Sequence, residues 1–359
     1  MPSQADWIDS LSPWPEEFGL GTMRALLAEL GEPQRRFDAV HVVGTNGKST
    51  ATRRAAAFLL REGLSVGAYT SPHVSGWSER IQVDGIDADF EAAIERVRPA
   101  AERVGATQFE TVTAAALAEF AAAEVEVAVV EAGLGGRLDA TNVLDARVVV
   151  LTNVSLDHTD VLGETREQIA REKLAVVAPG ATVVLGEPEW EGVARERGAA
   201  AVIVADDVAR TAAGIYLGRE LGGDVDVDLP GRLDFFGDGL VLAGAHNPAG
   251  ARWLAKRLPR HDYVVCAAAL ADKDVGATLS ALSACGTSFV ATQAETNRSL
   301  AAGELAAAAR EFFAHVESEP DADAALERAR ELAGGTGAVL VTGSLYLLRD
   351  LFSRLESVR

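Results

Sequence analysis

The chain has 359 residues, a formal charge of −20 at neutral pH and a hydrophobic content of 48%. A length beyond about 300 residues exceeds what one core comfortably supports, so two domains are expected. The acidic balance argues against nucleic-acid or membrane-surface partners, which need basic faces, and no stretch approaches about 18 uninterrupted apolar residues.

The N-terminus, MPSQADWIDS, has neither a basic nor an apolar signal segment, so a cytoplasmic protein is expected. The first informative element is the apolar run Val40–Val43, predicted as a strand, which enters Gly44-Thr45-Asn46-Gly47-Lys48-Ser49-Thr50 and a helix over Thr50–Arg61. Strand, glycine turn and helix N-terminus together cradle phosphates. Backbone N–H groups face the anion, Lys48 adds a mobile cation, and Ser49 or Thr50 offers a hydroxyl to magnesium. The spacing is G-x-x-G-K-[ST], shorter than a full Walker A, and an ordinary strand-to-helix turn is the plain alternative.

A second strand, Val66–Tyr69, leads to Thr70-Ser71-Pro72-His73, where Ser71 could reach a metal or phosphate or could simply build a turn. After a helix over Thr111–Ala122, the strand Val127–Val130 ends on Glu131. A carboxylate at a buried strand tip is costly unless paired or metal-bound, which makes Glu131 a magnesium-ligand candidate. The glycines of Gly133–Asn142 then let backbone approach a ligand closely. The strand Val148–Leu151 closes on Thr152–His158, and a helix over Thr165–Val177 carries Lys173, whose plain reading is a surface lysine with a buried stem. Val183–Leu185 and Val202–Val204 complete a first series of buried strands.

Asp206–Asp238 is poor in pattern, and the domain boundary is expected near Leu229-Pro230. Strands at Leu240–Leu242, Tyr263–Cys266, Ser288–Ala291 and Ala338–Val341 alternate with helices at Ala249–Arg257, Ala301–Phe313, Ala322–Leu332 and Leu345–Leu355. The expected fold is α/β, with a parallel-sheet phosphate-loop domain over residues 1–229 and a smaller Rossmann-like domain over 230–359. Cys266 and Cys285 suggest neither a disulfide nor a metal cluster. Lysine is scarce: only Lys48, Lys173, Lys256 and Lys273 occur among 33 Lys and Arg residues. A chain that writes its cations as Arg keeps Lys where a compact or deprotonatable amine is needed.

Together these segments resemble folylpolyglutamate synthase/dihydrofolate synthase, a branch of the Mur ligase family. The resemblance is carried in order by GTNGKST (44–50), TSPHVSGWSERI (70–81), FETVTA (109–114), VVEAGLGGRLDATNV (129–143), LDHTDVLG (156–163), IAREKLAVV (169–177), LPGRL (229–233), GAHNP (244–248), ADKD (271–274) and TGSLYLL (342–348). It implies ATP at Gly44, Thr45, Asn46, Gly47, Lys48, Ser49 and Thr50, with Arg232, His246, Asn247 and Ser344 also facing the nucleotide. It implies Mg²⁺ held by Ser49, Ser71, Glu131 and His158, and a carbamylated Lys173 as a further metal ligand. Lys48, Glu131, His158 and Lys173 would form the catalytic group; Arg80, Arg137, Asp139, Asp272 and Lys273 would meet the substrates.

The implied reaction joins glutamate to dihydropteroate or folate through an acyl phosphate, in a monomer. Asp139, in LDATN, resembles the pattern seen where the pterin acid is accepted. The chain departs from the family at three points. Ser49 follows Lys48 directly, Ala243 stands where an Asp is usual, and no Gln…Asn-Ala-Ala helical segment, which supplies an adenine contact in relatives, precedes LPGRL. A Mur-type ligase with another acid acceptor, and a non-catalytic nucleotide- or folate-binding relative, are the alternatives.

Overall fold

A computed structural model describes residues 3–15 and 17–355. It forms two compact units, one made of the chain up to Pro72 with Trp77–Asp228, the other of His73–Gly76 with the chain from Leu229 onward.

The sheet of the first unit uses β1 (Asp38–Val43), β2 (Val66–Tyr69), β3 (Ile81–Val83), β4 (Ile86–Asp87), β5 (Val127–Glu131), β6 (Ala146–Leu151), β7 (Thr182–Leu185) and β8 (Ala201–Val204), in the order β4-β3-β2-β5-β1-β6-β7-β8. Six strands run parallel, and β3 and β4 close one edge as an antiparallel hairpin. The Val-rich runs follow from this arrangement, because helices cover both faces and neither side of a central strand meets water. Val40 and Val42 pack with Phe58, Leu59 and Ala212 on one face, while Ala39 and Val43 join Leu26, Ile94, Phe120 and Ile169 on the other. By strand parity His41 shares the second face.

The second unit uses β9 (Arg232–Phe235), β10 (Leu240–Ala243), β11 (Val264–Ala267), β12 (Ser288–Ala291), β13 (His315–Ser318) and β14 (Val339–Thr342), in the order β13-β12-β11-β14-β10-β9. All pairs are parallel except β9 with β10. Helices Pro248–Ala255, Val275–Leu282 and Ala302–Ala309 cover one face, and Ala322–Ala333 and Leu345–Leu355 the other.

Several expectations change. The segment Val202–Val204 is not buried; it lies in the edge strand β8, largely open to solvent. The helix expected to Val177 keeps α geometry only over Arg166–Lys173 and tightens into a 3₁₀ turn at Leu174–Val176. The stretch expected to reach Phe313 as helix stops at Ala309, which leaves chain for the edge strand β13. Within the pattern-poor region, Val208–Leu217 is a helix capped by Asp207, whose carboxylate accepts from the Arg210 amide, and Arg232–Phe235 is a strand.

Candidate active site

The C-terminal ends of β1, β2, β5 and β6 gather the first unit's polar residues, the end of a parallel sheet where ligands bind. Gly44 leaves β1 with φ of +151°, and a Cβ there would stand 1.9 Å from Thr152 Oγ1, so only glycine lets the loop pass β6. The loop is then stitched to the turn after β6. The Thr45 amide donates to the Asn153 carbonyl at 2.9 Å, and the Asn46 amide donates to Asn153 Oδ1 at 3.1 Å. Thr152 Oγ1 and Asn153 Nδ2 both donate to the Asn46 carbonyl at 2.8 Å. Gly47 N-caps helix Lys48–Arg61 in the left-handed region, and Lys48 Nζ lies 3.5 Å from the Thr45 carbonyl. The helix N-terminus therefore stands at the strand ends, where its N–H groups and the helix dipole favour an anion.

Glu131, 1% exposed at the tip of β5, ties three elements together. Its Oε1 accepts from the Ser49 hydroxyl at 3.1 Å and its Oε2 from the Ser71 amide at 3.0 Å. Thus the phosphate-loop helix and the turn after β2 meet on one buried carboxylate. His158, in the left-handed region at φ +51°, has its amide on Asp157 Oδ1 and its Nε2 3.9 Å from the same oxygen.

Lys173 is not the surface lysine of the plain reading; it is 4% exposed, and its Nζ donates to the Gly44 carbonyl at 2.8 Å. Burial, aided by repulsion from Lys48, lowers its pKa to about 7 against the pull of Asp157, Asp139 and Glu172. The Gly133–Asn142 loop packs on this helix so tightly that a Cβ at Gly136 would stand 2.5 Å from the Lys173 carbonyl oxygen. Asp139 is turned into that loop. Its oxygens accept from the Leu134 amide at 2.7 Å, the Thr141 amide at 3.0 Å and the Thr141 hydroxyl at 2.5 Å, and burial raises its pKa. Arg80, buried, lies over the Trp77 ring at 4.4 Å, whereas Arg137 is exposed and paired with Glu172 at 2.9 Å.

In the second unit, the candidates follow β10, β11 and β14, and one opens β9. Asn247, buried, accepts from the Gly250 amide at 2.8 Å and so caps helix Pro248–Ala255, and His246 Nδ1 lies 3.1 Å from the Gly244 carbonyl. Ser344, also buried, follows Gly343 and accepts from the Tyr346 amide at 3.2 Å. Arg232 opens β9, partly exposed. Asp272 is held by Arg298 through bonds of 3.0 and 2.9 Å, with Lys273 at 3.9 Å. Ala243 is buried in β10, its carbonyl accepting from Thr342 Oγ1 at 2.7 Å.

Two buried residues beside this site escaped the sequence reading. Arg53, one turn after Ser49, donates to the Glu79 carbonyl and reaches Thr70 Oγ1 at 3.4 Å. His41, inside β1, lies 2.8 Å from Thr141 Oγ1 through Nε2. The signal for both was a titratable residue on an otherwise apolar face.

Comparison with known proteins accords with this architecture. Residues 42–207 match the Mur ligase middle domain and 231–345 the Mur ligase, glutamate ligase domain. The chain is 33% identical, over 92% of its length, to the probable bifunctional folylpolyglutamate synthase/dihydropteroate synthase of Haloferax volcanii, of which it covers 48%. It thus spans less than half of that archaeal relative and only 42% of the one from Halobacterium salinarum. Against the dihydrofolate synthase/folylpolyglutamate synthase of Mycobacterium tuberculosis it is 32% identical, covering 84% of this chain and 80% of that protein. The structure of E. coli FolC in complex with DHPP and ADP superimposes with a TM-score of 0.86 at 28% identity, over 100% of this chain and 99% of that one. The Yersinia pestis bifunctional folylpolyglutamate synthase/dihydrofolate synthase with Mn, AMPPNP and L-glutamate bound gives 0.86 at 29% identity, over 99% and 98%. With the two Mur ligase domains in succession and a relative 32% identical of which it covers 80%, the chain belongs to the dihydrofolate synthase/folylpolyglutamate synthase branch of the Mur ligase family.

Proposed function

We propose that the chain is an ATP-dependent amide ligase that adds L-glutamate to dihydropteroate, to folate or to both. The observation that carries this reading is the buried Glu131 carboxylate receiving Ser49 from the phosphate loop and Ser71 from β2, with Lys173 under the same loop. The E. coli structure with DHPP and ADP and the Y. pestis structure with Mn, AMPPNP and L-glutamate supply the ligand classes.

The donor set fits a hard divalent cation. Ser49 and Glu131 bring oxygens together at 3.1 Å, and Ser71, whose amide sits on the same carboxylate, would add its hydroxyl; His158 and a carbamylated Lys173 would serve a second position. Among the described residues no group of three or more His, Cys, Asp or Glu gathers, and Mg²⁺ suits such a site because it takes one or two carboxylates plus water and phosphate oxygens. Bound there, the metal would neutralise charge on the transferred phosphoryl group.

In the proposed reaction an acceptor carboxylate oxygen attacks the γ-phosphorus of ATP, the bond to the β-phosphate oxygen breaks, and ADP leaves. The glutamate amine then attacks the acyl phosphate, phosphate departs and an amide with one released proton remains. The chain's work is positioning and electrostatics. Backbone N–H groups at the start of the helix, those of Gly47 and Lys48, and the Lys48 ammonium would hold the phosphates, while the Asn153 bonds to the Thr45 and Asn46 amides keep the loop from deforming as charge builds. Arg80, Arg137, Asp272 and Lys273 as substrate contacts, Asp139 as the residue that shapes the acceptor loop rather than the direct substrate contact that the resemblance implies, Arg232, His246, Asn247 and Ser344 as nucleotide contacts, and the assignment of 1–229 to ATP and 230–359 to glutamate ligation belong to the same proposal.

The test is phosphate release from ATP with glutamate plus dihydropteroate, folate or neither. Release that requires an acceptor and yields the glutamylated product supports the ligase. ATP turnover indifferent to both acceptors would point to another acid, and binding without turnover to a non-catalytic relative.

A further inference from the structure

Beneath the Gly133–Asn142 loop, three buried polar side chains form a chain of which only Asp139 enters the proposal above. His41 Nε2 lies 2.8 Å from Thr141 Oγ1, and Thr141 Oγ1 lies 2.5 Å from Asp139 Oδ1. The direction of these bonds is fixed by counting hydrogens. The Thr141 hydroxyl has one, which it gives to the Asp139 carboxylate, so the contact with His41 is a bond only if Nε2 carries the imidazole hydrogen. His41 is 1% exposed, and burial lowers its pKa to about 4, so at neutral pH the ring is uncharged with a single N–H. Nδ1 is then a bare acceptor, and among the described residues it has no hydrogen-bond partner.

That orphan is informative. A valine or leucine on this face of β1 would avoid an unsatisfied buried nitrogen, as Ala39 and Val43 on either side do. The sequence keeps an imidazole whose one hydrogen bond among the described residues reaches across to the loop. At the far end of the chain, Asp139 also takes the Leu134 and Thr141 amides, so the orientation of one carboxylate sets the backbone of the loop on both of its sides.

We infer that His41 is a positioning residue for the acceptor loop, acting from the phosphate-loop strand through Thr141 and Asp139 to hold Gly133–Asn142 in its binding conformation. The acceptor part of this inference rests on the ligase reading above. A strand that ends two residues later at Val43 and passes into Gly44 thereby supports both the nucleotide loop and the acceptor loop.

The test uses the full chain with His41→Leu and His41→Gln, since a glutamine amide can place a donor where Nε2 stands. For His41→Leu we expect the KM for dihydropteroate or folate to rise about tenfold, with kcat and the KM for ATP within about twofold. The amides of Leu134 and Thr141 should lose hydrogen-exchange protection in the same variant. His41→Gln should restore both readouts to near wild type. ¹⁵N-detected NMR of the wild-type ring should show a protonated Nε2 and a bare Nδ1. A protonated Nδ1, unchanged amide protection in His41→Leu, or equal damage to the ATP and acceptor constants would each overturn the inference. Wild-type protein that turns over neither acceptor, yet loses loop protection on His41→Leu, would fault the ligase reading and leave the loop-holding role supported.

Discussion

The amine of Lys173 donates to the carbonyl oxygen of Gly44 at 2.8 Å, so a side chain from helix Arg166–Lys173 supports the first residue of the phosphate loop from below. Burial and the nearby Lys48 bring its pKa to about 7, which leaves about half of the amines neutral near pH 7. Carbon dioxide adds only to a neutral amine, giving a carbamate and one proton, and the carbamate nitrogen keeps a hydrogen for Gly44. Arginine could not undergo this step. We therefore expect Lys173→Ala to fold normally but lose turnover by at least about 100-fold, and short-chain carboxylic acids to restore part of it by filling the vacated ligand position. Incorporation of ¹³CO₂ seen by NMR checks the modification directly. An unaltered rate in Lys173→Ala would sink the idea.

The same burial makes a stability prediction whose sign is fixed by linkage. A lysine lowered from 10.5 to about 7 on folding binds fewer protons in the native than in the unfolded state between these values. Stability therefore rises with pH across that window. From pH 7 to 9 the contribution is about 2 kcal/mol for a pKa near 7. Urea titrations of wild type and Lys173→Met in buffers purged of CO₂ isolate this term as the difference between the two pH profiles. Parallel profiles would show that Lys173 is solvated or stays charged in the native state.

The ligand-bearing strand ends were legible in the sequence because each is local: an apolar run followed within one or two residues by a chemically unusual group, as at Val43-Gly44, Val130-Glu131 and Leu151-Thr152. What ties them together was not. The bonds from Asn153 to Asn46, from Glu131 to Ser49 and Ser71, and from Lys173 to Gly44 join residues far apart in the chain, and only strand order brings them within reach. Helix Val208–Leu217 escaped for another reason. Its ten residues sit between an Asp-Asp start and a Gly-rich tail, and its apolar stripe becomes meaningful only against helix Lys48–Arg61, where Arg54 pairs with Asp207 at 3.0 Å and Asp224 at 2.8 Å. His41 was hidden in plain view by three valines.

Asp139 illustrates how the structure redirects an expectation. With its oxygens accepting from Leu134 and Thr141, the side chain is committed to its own loop before any acceptor arrives. Asp139→Ala would leave two amides and a hydroxyl without their acceptor, at about 1–3 kcal/mol for each group that stays buried and unsatisfied. We expect activities with dihydropteroate and with a folate acceptor to fall together, accompanied by a melting temperature lower by several degrees. Selective loss of the dihydropteroate reaction at unchanged melting temperature would instead assign Asp139 to pterin recognition.

Nucleotide selectivity is the last expectation, and it follows from what the chain between β8 and β9 contains. In the proposed ligase the Gly44–Thr50 loop, braced by its Asn153 bonds, would serve the triphosphate, which ATP, GTP and ITP share. The family resemblance implies base recognition by a Gln…Asn-Ala-Ala helix, and helix Val208–Leu217, which occupies this part of the first unit, has neither Asn nor Gln. Its one phenol is spoken for, since Tyr216 donates to Asp38 at 3.1 Å and lies under Arg147 at 5.2 Å. Ala243, where an Asp is usual, offers no side-chain acceptor. Each missing hydrogen bond to a nucleotide is worth about 0.5–1.5 kcal/mol net, or about 2- to 13-fold in affinity. GTP and ITP should therefore support turnover within about tenfold of ATP, and the KM for ATP should be high for a phosphate-loop enzyme. The measurement is kcat/KM for the three nucleotides at saturating acceptor and glutamate. A preference for ATP of several hundredfold would mean that other side chains of this protein have taken over adenine recognition, and a search by alanine substitution would then start at Arg210 and Thr211, the other two polar side chains of that helix.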